Sequence, residues 1–192
     1  MLVRQSVAGF ELLQPEEYAD LPDDGAVEWA PLVPYWSVLW RRGVELAREV
    51  GGVALDGKRV VELGCGLAVP SIAAARAGAS ALATDVDDEA IALVPRNARL
   101  NGVEVETAIA DWGDPDELVA RGPFDLVLAG DVLYERPAAA QLLSLLPRLA
   151  PVAWLADPGR PAADAFLEQA RARWPVETSS RGIVSIHRLQ LG

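Results

Sequence analysis

From residue 59 to residue 174 the chain alternates apolar segments with helical ones, and this alternation constrains the fold more than any other feature. Glycine, asparagine and proline residues separate the segments, as they do at strand and helix ends. The predicted strands are residues 59–63, 80–84, 104–110, 124–129 and 152–156. The predicted helices are residues 69–77, 89–100, 116–121, 138–149 and 162–174. Because strands alternating with helices pair in parallel, the pattern predicts an α/β fold with a doubly wound, mostly parallel sheet.

The two ends of the chain follow other patterns. Residues 37–50 predict a helix that stops at Gly51-Gly52, whereas residues 1–34 carry acids and prolines with no sustained period. Residues 176–191 turn at Arg181-Gly182 and predict a C-terminal antiparallel hairpin. We therefore expect one domain, with an N-terminal helical extension and cap helix over residues 1–50 and a core over residues 58–192.

The composition narrows the class of partner. The net charge is −11 and Lys58 is the single lysine, so the clustered cations that bind nucleic-acid phosphates are missing. An acidic surface is compatible with a basic substrate, such as a lysine-bearing protein segment, although acidity also serves solubility alone. We expect a protein or small-molecule substrate and no nucleic acid.

Other features bear on the compartment. No apolar run approaches the roughly 20 residues of a membrane helix, and residues 1–6 lack the basic and apolar regions of a secretory signal. One cysteine rules out an internal disulfide, and one histidine leaves little for a metal site. The chain is therefore expected to be cytoplasmic and monomeric, without a membrane partner or a metal.

The turn after the first predicted strand predicts a nucleotide pocket. Gly64 and Gly66 let the backbone turn sharply and approach a ligand, and Asp85 after the next strand can accept hydrogen bonds from ribose hydroxyls. Asp85 could instead cap the following helix, but two further acids soon after it compete for that position. Cys65 has no histidine or lysine nearby to activate it, so we interpret it as a space-filling residue rather than a nucleophile.

Acids and aromatic residues also follow the other predicted strands. Ligands of parallel sheets bind outside the carboxyl ends of the strands, so these residues are expected to meet at one edge. The residues past the strand ends, which include these acids and aromatic residues, are Val86, Asp111, Trp112, Gly130, Asp131, Tyr134, Asp157, Pro158, Gly159 and Arg160. Trp112 could stack on an adenine ring or pack in the core, and Asp111 could contact a ligand or start a turn before Gly113.

Two tryptophans precede the first strand of the core. Trp36 and Trp40 are four residues apart, so both would lie on one face of a helix. They predict either a helix buried against the sheet or a lid over the mouth of the pocket.

These motifs together resemble the class I, seven-stranded S-adenosylmethionine-dependent methyltransferases. Within that class they resemble the lysine-methyltransferase branch called methyltransferase family 16, which includes the methyltransferases of the electron-transfer flavoprotein β-subunit. The resemblance covers about residues 34–160, and Asp157-Pro158-Gly159-Arg160 is similar to the bacterial members. It rests on Val61-Glu62-Leu63-Gly64-Cys65-Gly66 with Ala83-Thr84-Asp85, Tyr35-Trp36 with Trp40, Asp111-Trp112-Gly113, and Asp131-Val132-Leu133-Tyr134.

The resemblance implies a Rossmann-like seven-stranded sheet, S-adenosylmethionine as the cofactor and a protein lysine as the methyl acceptor. It implies that Asp131 and Tyr134 face the methyl group and the incoming amine, where Asp131 would orient the substrate and Asp131 or water would take its proton. It further implies a cofactor site with Glu62 and the glycines at the methionine end, Asp85 at the ribose, and Asp111 and Trp112 at the adenine. The implied cofactor-binding residues are Trp40, Glu62, Gly64, Cys65, Gly66, Asp85, Val86, Asp111, Trp112 and Gly130.

Three alternatives stay open at the level of sequence. An NAD-dependent oxidoreductase shares the opening motif, but its third glycine is Val69 here and there is little room for a substrate domain. A small-molecule N- or O-methyltransferase would keep the fold and could use residues 1–34 as a lid. A non-catalytic binding module would keep the fold without the activity, and the presence of Glu62, Asp85 and Asp131 together disfavours it.

Overall fold

The computed structural model describes residues 1–19, 34–133 and 136–192, and these form one large sheet, one small sheet and the helices between them. The strands are β1 (Leu2–Val7), β2 (Phe10–Pro15), β3 (Arg59–Leu63), β4 (Ser80–Asp85), β5 (Glu106–Ile109), β6 (Leu126–Gly130), β7 (Val152–Asp157), β8 (Val176–Arg181) and β9 (Val184–Gln190). The helices are α1 (Arg41–Val50), α2 (Val69–Arg76), α3 (Asp88–Leu100), α4 (Asp116–Ala120), α5 (Arg136–Leu149) and α6 (Pro161–Arg171). No helix in the described ranges is long and apolar enough to cross a membrane.

The large sheet has seven strands in the order β5-β4-β3-β6-β7-β9-β8. The strands from β5 to β7 are parallel, while β9 pairs antiparallel with both β7 and β8. The predicted doubly wound sheet and the C-terminal hairpin are therefore confirmed. Successive strands are added on one side of β3 up to β5 and on the other side from β6, so the order reverses between β3 and β6. In such folds the crevice at this reversal is where ligands bind.

The inner strands β3 and β6 of the large sheet bury both of their faces. In β3, Val60 packs into one hydrophobic cluster and Val61 into the other, and Leu126 and Val127 divide in the same way in β6. Because successive side chains of a strand point to opposite faces, these strands are continuous apolar runs rather than alternating ones. This rigid core fixes the positions of the loops at the carboxyl ends of the strands.

The first residues form a hairpin that the sequence did not predict. β1 and β2 pair antiparallel, and β2 buries Phe10, Leu12 and Gln14 at alternate positions. The buried Gln14 interrupts the apolar pattern, because its amide donates to the carbonyl of Ser37 at 2.9 Å instead of facing solvent. Asn97 of α3 holds the hairpin, since its Oδ1 accepts from the backbone N–H of Leu13 at 2.7 Å.

The helix predicted over residues 37–50 begins later, at Arg41. Tyr35–Ser37 is a single 3₁₀ turn, and Trp40 is extended, with φ −74° and ψ 127°. The prediction that Trp36 and Trp40 share one helical face is therefore wrong. The reason is local: the hydroxyl of Ser37 donates to the carbonyl of Pro34 at 2.7 Å and closes a tight turn ahead of the helix.

Candidate active site

The carboxyl ends of β3, β4 and β6 and the segments beyond them border a cavity of about 590 Å³. Cavities of this size are typical of sites for small molecules and cofactors. The structure brings together every predicted site residue that it describes, whereas Tyr134 lies outside the described residues. Those that line the cavity are Trp40, Glu62, Gly64, Cys65, Gly66, Asp85, Val86, Asp111, Trp112, Gly130 and Asp131.

The glycines of the first turn are required by their backbone and by their neighbours. Gly64 has φ +62° and Gly66 has φ +48°, in the left-handed region that side chains disfavour. A Cβ on Gly66 would lie 3.0 Å from the carbonyl oxygen of Trp36, and one on Gly64 would lie 3.2 Å from Cγ1 of Val132. A side chain on Gly64 or Gly66 would therefore crowd Val132 or Trp36, and the backbone of these glycines forms a cradle in the cavity wall.

Glu62 is buried beneath this turn and ties the strand to the next helix. Its Oε2 accepts from the backbone N–H of Ser71 at 2.8 Å and from the hydroxyl of Ser71 at 2.5 Å. Burial raises the pKa of Glu62 to about 8, and the hydrogen bonds from Ser71 oppose this rise. The side chain can therefore gain or lose a proton near neutral pH while it holds the start of α2.

Asp85 ends β4 and fastens the turn from the other side. Its Oδ2 accepts from the backbone N–H of Gly66 at 2.9 Å and its Oδ1 from that of Asp87 at 3.1 Å. Burial raises the pKa of Asp85, and these backbone hydrogen bonds oppose the rise. Asp87, not Asp85, caps α3, because the Asp87 carboxylate accepts from the N–H of Glu89 at 2.9 Å. The partly exposed carboxylate of Asp85 thus faces the cavity without serving as the helix cap.

Asp111 and Trp112 follow β5 and line the cavity. Each also has a structural role: Asp111 makes a turn and Trp112 packs on the core. Oδ1 of Asp111 accepts from the N–H of Gly113 at 2.7 Å and makes the turn. Trp112 is half-buried, with its ring edge beside Gly64 and its other side packed on the core. The two interpretations of each residue are therefore compatible.

An aromatic wall closes one side of the cavity. The ring centroids of Tyr35 and Trp40 are 6.4 Å apart, and the indole N–H of Trp40 donates to the carbonyl of Tyr35 at 2.8 Å. Cys65 is buried beside the wall, and burial raises the pKa of its thiol well above the usual value. A protonated, buried thiol is a poor nucleophile, in agreement with a space-filling role.

Asp131 follows β6 and lines the same cavity. Its φ is +57°, and its backbone N–H donates to the carbonyl of Ala156 at 2.8 Å, which continues the ladder to β7. The carboxylate accepts two hydrogen bonds from Arg160, at 3.0 Å from Nε to Oδ1 and at 3.1 Å from Nη2 to Oδ2. Nε of Arg42 lies 3.8 Å from Oδ2. The acid predicted at this place is present, and two guanidinium groups accompany it.

The sequence predicted Arg160 at this edge of the sheet without giving it a role, and it did not predict Arg42 there. Arg42, Leu46 and Val50 are spaced four residues apart and lie on the buried face of α1. This spacing could have predicted that the side chain of Arg42 faces the core. A Cβ on Gly130 would lie 3.2 Å from Cα of Gly43, so α1 sits close to β6 and brings Arg42 to Asp131.

The loop after β7 positions Arg160. Oδ1 of Asp157 accepts from the N–H of Gly159 at 2.5 Å and from the N–H of Arg160 at 3.2 Å. Burial raises the pKa of Asp157, and these two hydrogen bonds oppose the rise. Gly159 has φ +89°, which reverses the chain so that Arg160 begins α6 with its side chain against Asp131.

Comparison with known proteins agrees with this site. A family model described as lysine methyltransferase matches residues 37–153, which include the glycine turn, Asp85, Asp111-Trp112 and Asp131. The electron transfer flavoprotein beta subunit lysine methyltransferase of Mus musculus is 32% identical over 143 residues, which are 69% of this chain and 54% of that protein. Protein N-lysine methyltransferase METTL21A of Danio rerio is 33% identical over 120 residues, 59% of this chain and 55% of that protein. The chain spans about half the length of these two relatives.

Solved structures share the fold. The tRNA (uracil-54, C5)-methyltransferase of Pyrococcus abyssi, in complex with S-adenosyl-L-homocysteine, aligns with a TM-score of 0.64 at 16% identity and covers 98% of this chain and 44% of that one. The ribosomal protein L11 methylase of Lactobacillus delbrueckii aligns with a TM-score of 0.59 at 23% identity, over 76% of this chain and 77% of that one. The predicted family is confirmed by the match over more than half of the sequence: this chain belongs to the lysine methyltransferase family.

Proposed function

We propose that this protein is an S-adenosylmethionine-dependent protein-lysine N-methyltransferase. The observation that carries the proposal is the two-ended cavity at the reversal of strand order. One end presents a glycine cradle with the carboxylate of Asp85, and the other presents the carboxylate of Asp131. A methyl donor and a methyl acceptor have to meet between two such ends.

The cofactor end fits S-adenosylmethionine. Gly64 and Gly66 line the cavity and carry no side chain, so their backbone itself forms this part of the wall and a ligand can approach it closely. Asp85 is partly exposed and can accept hydrogen bonds from ribose hydroxyls, and the half-buried Trp112 offers a ring for the adenine. Glu62 and Cys65 would line the methionine end, with Trp40, Val86, Asp111 and Gly130 completing the site.

The chemistry requires alignment more than covalent help. The bound cofactor supplies an electrophilic methyl group on a sulfonium, and the protein has to place the acceptor nitrogen in line with it. A lysine amine has an ordinary pKa of about 10.4, so it must be deprotonated before it attacks. Asp131 would accept a hydrogen bond from the amine and so aim the nitrogen lone pair at the methyl carbon, while water takes the proton that is lost. Tyr134 stays a prediction for the same end.

A protein lysine is the acceptor that fits best. The two relatives described above are named for lysine methylation of proteins, and this chain carries a net charge of −11, which favours approach of a basic segment. The same acidity disfavours nucleic acid. We place the enzyme in the cytoplasm as a monomer, in line with its single cysteine.

The test uses S-adenosylmethionine labelled in its methyl group. The protein is incubated with the labelled cofactor and a cell lysate, and proteins are then separated from small molecules. Label in a protein band supports the proposal, whereas label confined to the small-molecule fraction shows a small-molecule methyltransferase instead. Calorimetric titration with S-adenosylmethionine and with NAD runs in parallel. Binding of NAD without binding of S-adenosylmethionine would contradict both kinds of methyltransferase. No binding of S-adenosylmethionine at millimolar concentration would favour a non-catalytic binding module.

The matched variant is Asp131→Asn, because asparagine tolerates the left-handed backbone at this position. The variant is expected to bind S-adenosylmethionine as the wild type does and to transfer the methyl group more slowly. Transfer at the wild-type rate with normal cofactor binding would remove Asp131 from the proposed mechanism.

A further inference from the structure

The part of the cavity around Asp131, which we call the acceptor end, holds charges of both signs. Four charged side chains face one another there: Arg42 from α1, Asp131 after β6, Asp157 at the end of β7 and Arg160 at the start of α6. Two of them are anionic and two are cationic, so the described residues leave this end without net charge. The other described acids of the cavity wall belong to its remaining sides: Glu62, Asp85, Asp87 and Asp111.

The balance of charge decides which form of an amine is stabilised. A lone buried carboxylate favours an ammonium ion beside it and raises the pKa of that amine. A methyl acceptor needs the opposite, because the ammonium form has no lone pair. An unopposed Asp131 would therefore bind a lysine in its unreactive form.

Arg160 opposes Asp131 in a geometry suited to this task. The guanidinium spans both carboxylate oxygens, as a planar fork does and a lysine ammonium does not. Side-chain exposure is 17% for Arg160 and 1% for Arg42, so Arg160 is the more accessible of the pair, and it also lines the cavity. Two bonds from Arg160 leave further acceptor positions on the carboxylate, where a neutral N–H can bind.

We propose that Arg160 is a positioning residue that, together with Arg42, neutralises Asp131 so that the acceptor end admits a neutral amine in preference to an ammonium ion. For the transfer step this inference rests on the proposed function. The amine lone pair then forms the new N–C bond, and the C–S bond breaks with its electron pair going to sulfur. The lysine ammonium first loses one proton to water, and the neutral amine then takes the methyl group to give a methylammonium ion and the neutral thioether, so charge and atoms balance. A cation at this position meets the guanidinium groups of Arg42 and Arg160.

The test needs no knowledge of the acceptor. Sinefungin is an S-adenosylmethionine analogue in which an amino-bearing carbon replaces the methyl-bearing sulfur, so a cationic amine lies where the methyl group would be. S-adenosylhomocysteine lacks any group at that position. The measured quantity is the ratio of their dissociation constants at pH 7.5 by calorimetry, which cancels changes common to both ligands.

Arg160→Gln is expected to tighten sinefungin relative to S-adenosylhomocysteine by about threefold to tenfold, equal to a shift of about half to one pKa unit. Asp131→Asn is expected to shift the ratio in the opposite direction. Arg160→Lys keeps the charge and is expected to stay close to the wild type. The control is Arg148→Gln, which removes a guanidinium from an exposed pair with Asp116 that does not line the cavity.

An unchanged ratio in Arg160→Gln, with S-adenosylhomocysteine bound normally, overturns the inference. If Arg160→Gln does not fold, the ratio of dissociation constants in Asp131→Asn decides. Weaker relative binding of sinefungin in Asp131→Asn supports the inference, and tighter relative binding overturns it. Failure of the wild type to methylate any protein contradicts the proposed function and leaves these ratios interpretable. The two failures are therefore distinguishable.

Discussion

The two ends of the cavity differ in which part of the chain forms them, backbone at one end and charged side chains at the other. The cofactor end is built from backbone: Gly64 and Gly66 in left-handed conformations, with the N–H of Gly66 bonded to the carboxylate of Asp85. The acceptor end is built from charged side chains of separate elements, in which Arg42 and Arg160 converge on Asp131. A backbone cradle is a fixed shape, whereas an ion cluster can be tuned by a single substitution. We therefore expect changes at the first end to affect cofactor binding and changes at the second to affect the choice and protonation of the acceptor.

The largest effect is expected at Asp85. Asp85→Ala removes the proposed ribose acceptor and the partner of the Gly66 N–H, and hydrogen bonds to charged groups contribute about 1.5–3 kcal/mol each. The dissociation constant for S-adenosylmethionine should rise by about 10- to 100-fold, measured by calorimetry. The control is Asp88→Ala, which removes an exposed carboxylate from the first turn of α3 that does not line the cavity, so cofactor binding should stay unchanged. Equal losses of binding in both variants would contradict the assignment of Asp85.

A smaller effect is expected at the turn itself. Gly66→Ala places a Cβ 3.0 Å from the carbonyl of Trp36, and a strained backbone of this kind costs about 1–3 kcal/mol. Cofactor binding should weaken by about tenfold. Gly57→Ala is the matched control, because Gly57 also has positive φ but nothing lies within 4 Å of its Cβ position. If Gly57→Ala weakened binding as much, positive φ alone and not the close approach would explain the loss.

At the acceptor end the expected change is in pH dependence. In Arg160→Gln the acceptor amine loses a neighbouring cation, so its pKa in the complex rises and less of the neutral form is present at pH 7. The inflection of kcat against pH should move up by about half to one unit, while KM stays unchanged or falls. Single-turnover rates across the pH range measure this once a protein acceptor has been isolated. A uniform loss of rate at every pH would indicate a structural role only.

The last prediction concerns stability rather than binding or rate. The pKa of Glu62 is about 8 in the folded protein against an ordinary 4.5, so between these values the folded state binds more protons than the unfolded state. The contribution of Glu62 to stability is therefore fully present below pH 4.5 and is lost as the pH rises through about 8. Urea unfolding from pH 5 to pH 8 should show this decline in the wild type and a flatter curve in Glu62→Gln. Substitution of the exposed Glu106 by glutamine should leave the decline in place.

The sequence predicted the cofactor end well because its determinants are local. A strand, two glycines and an acid after the next strand occur within residues 60–85, and the positive φ of both glycines is a backbone requirement that glycine meets. The order of strands and helices followed from the alternation of apolar and helical segments over residues 59–174. The hairpin of β1 and β2 was missed because Gln14 is buried where an alternating pattern needs an apolar residue.

The acceptor end could not be predicted in full, since its charges come from distant parts of the chain. Asp131 was identified by its place after a strand, but its partners are 89 positions before it and 29 after it. Only the packing of α1 on β6, where Gly43 meets Gly130, brings Arg42 within reach. The place of Trp40 ahead of the helix likewise depends on a tight turn that helical spacing does not reveal.

The most direct test of the account is mass spectrometry of the labelled protein band. After reaction with S-adenosylmethionine that carries a trideuterated methyl group, peptides of the band are sequenced for the labelled mass. We expect deuterated methyl groups on lysine side-chain nitrogens after reaction with the wild type, and fewer of them after reaction with Asp131→Asn. Labelled methyl groups on another residue type, or none in protein while the cofactor is consumed, would contradict it.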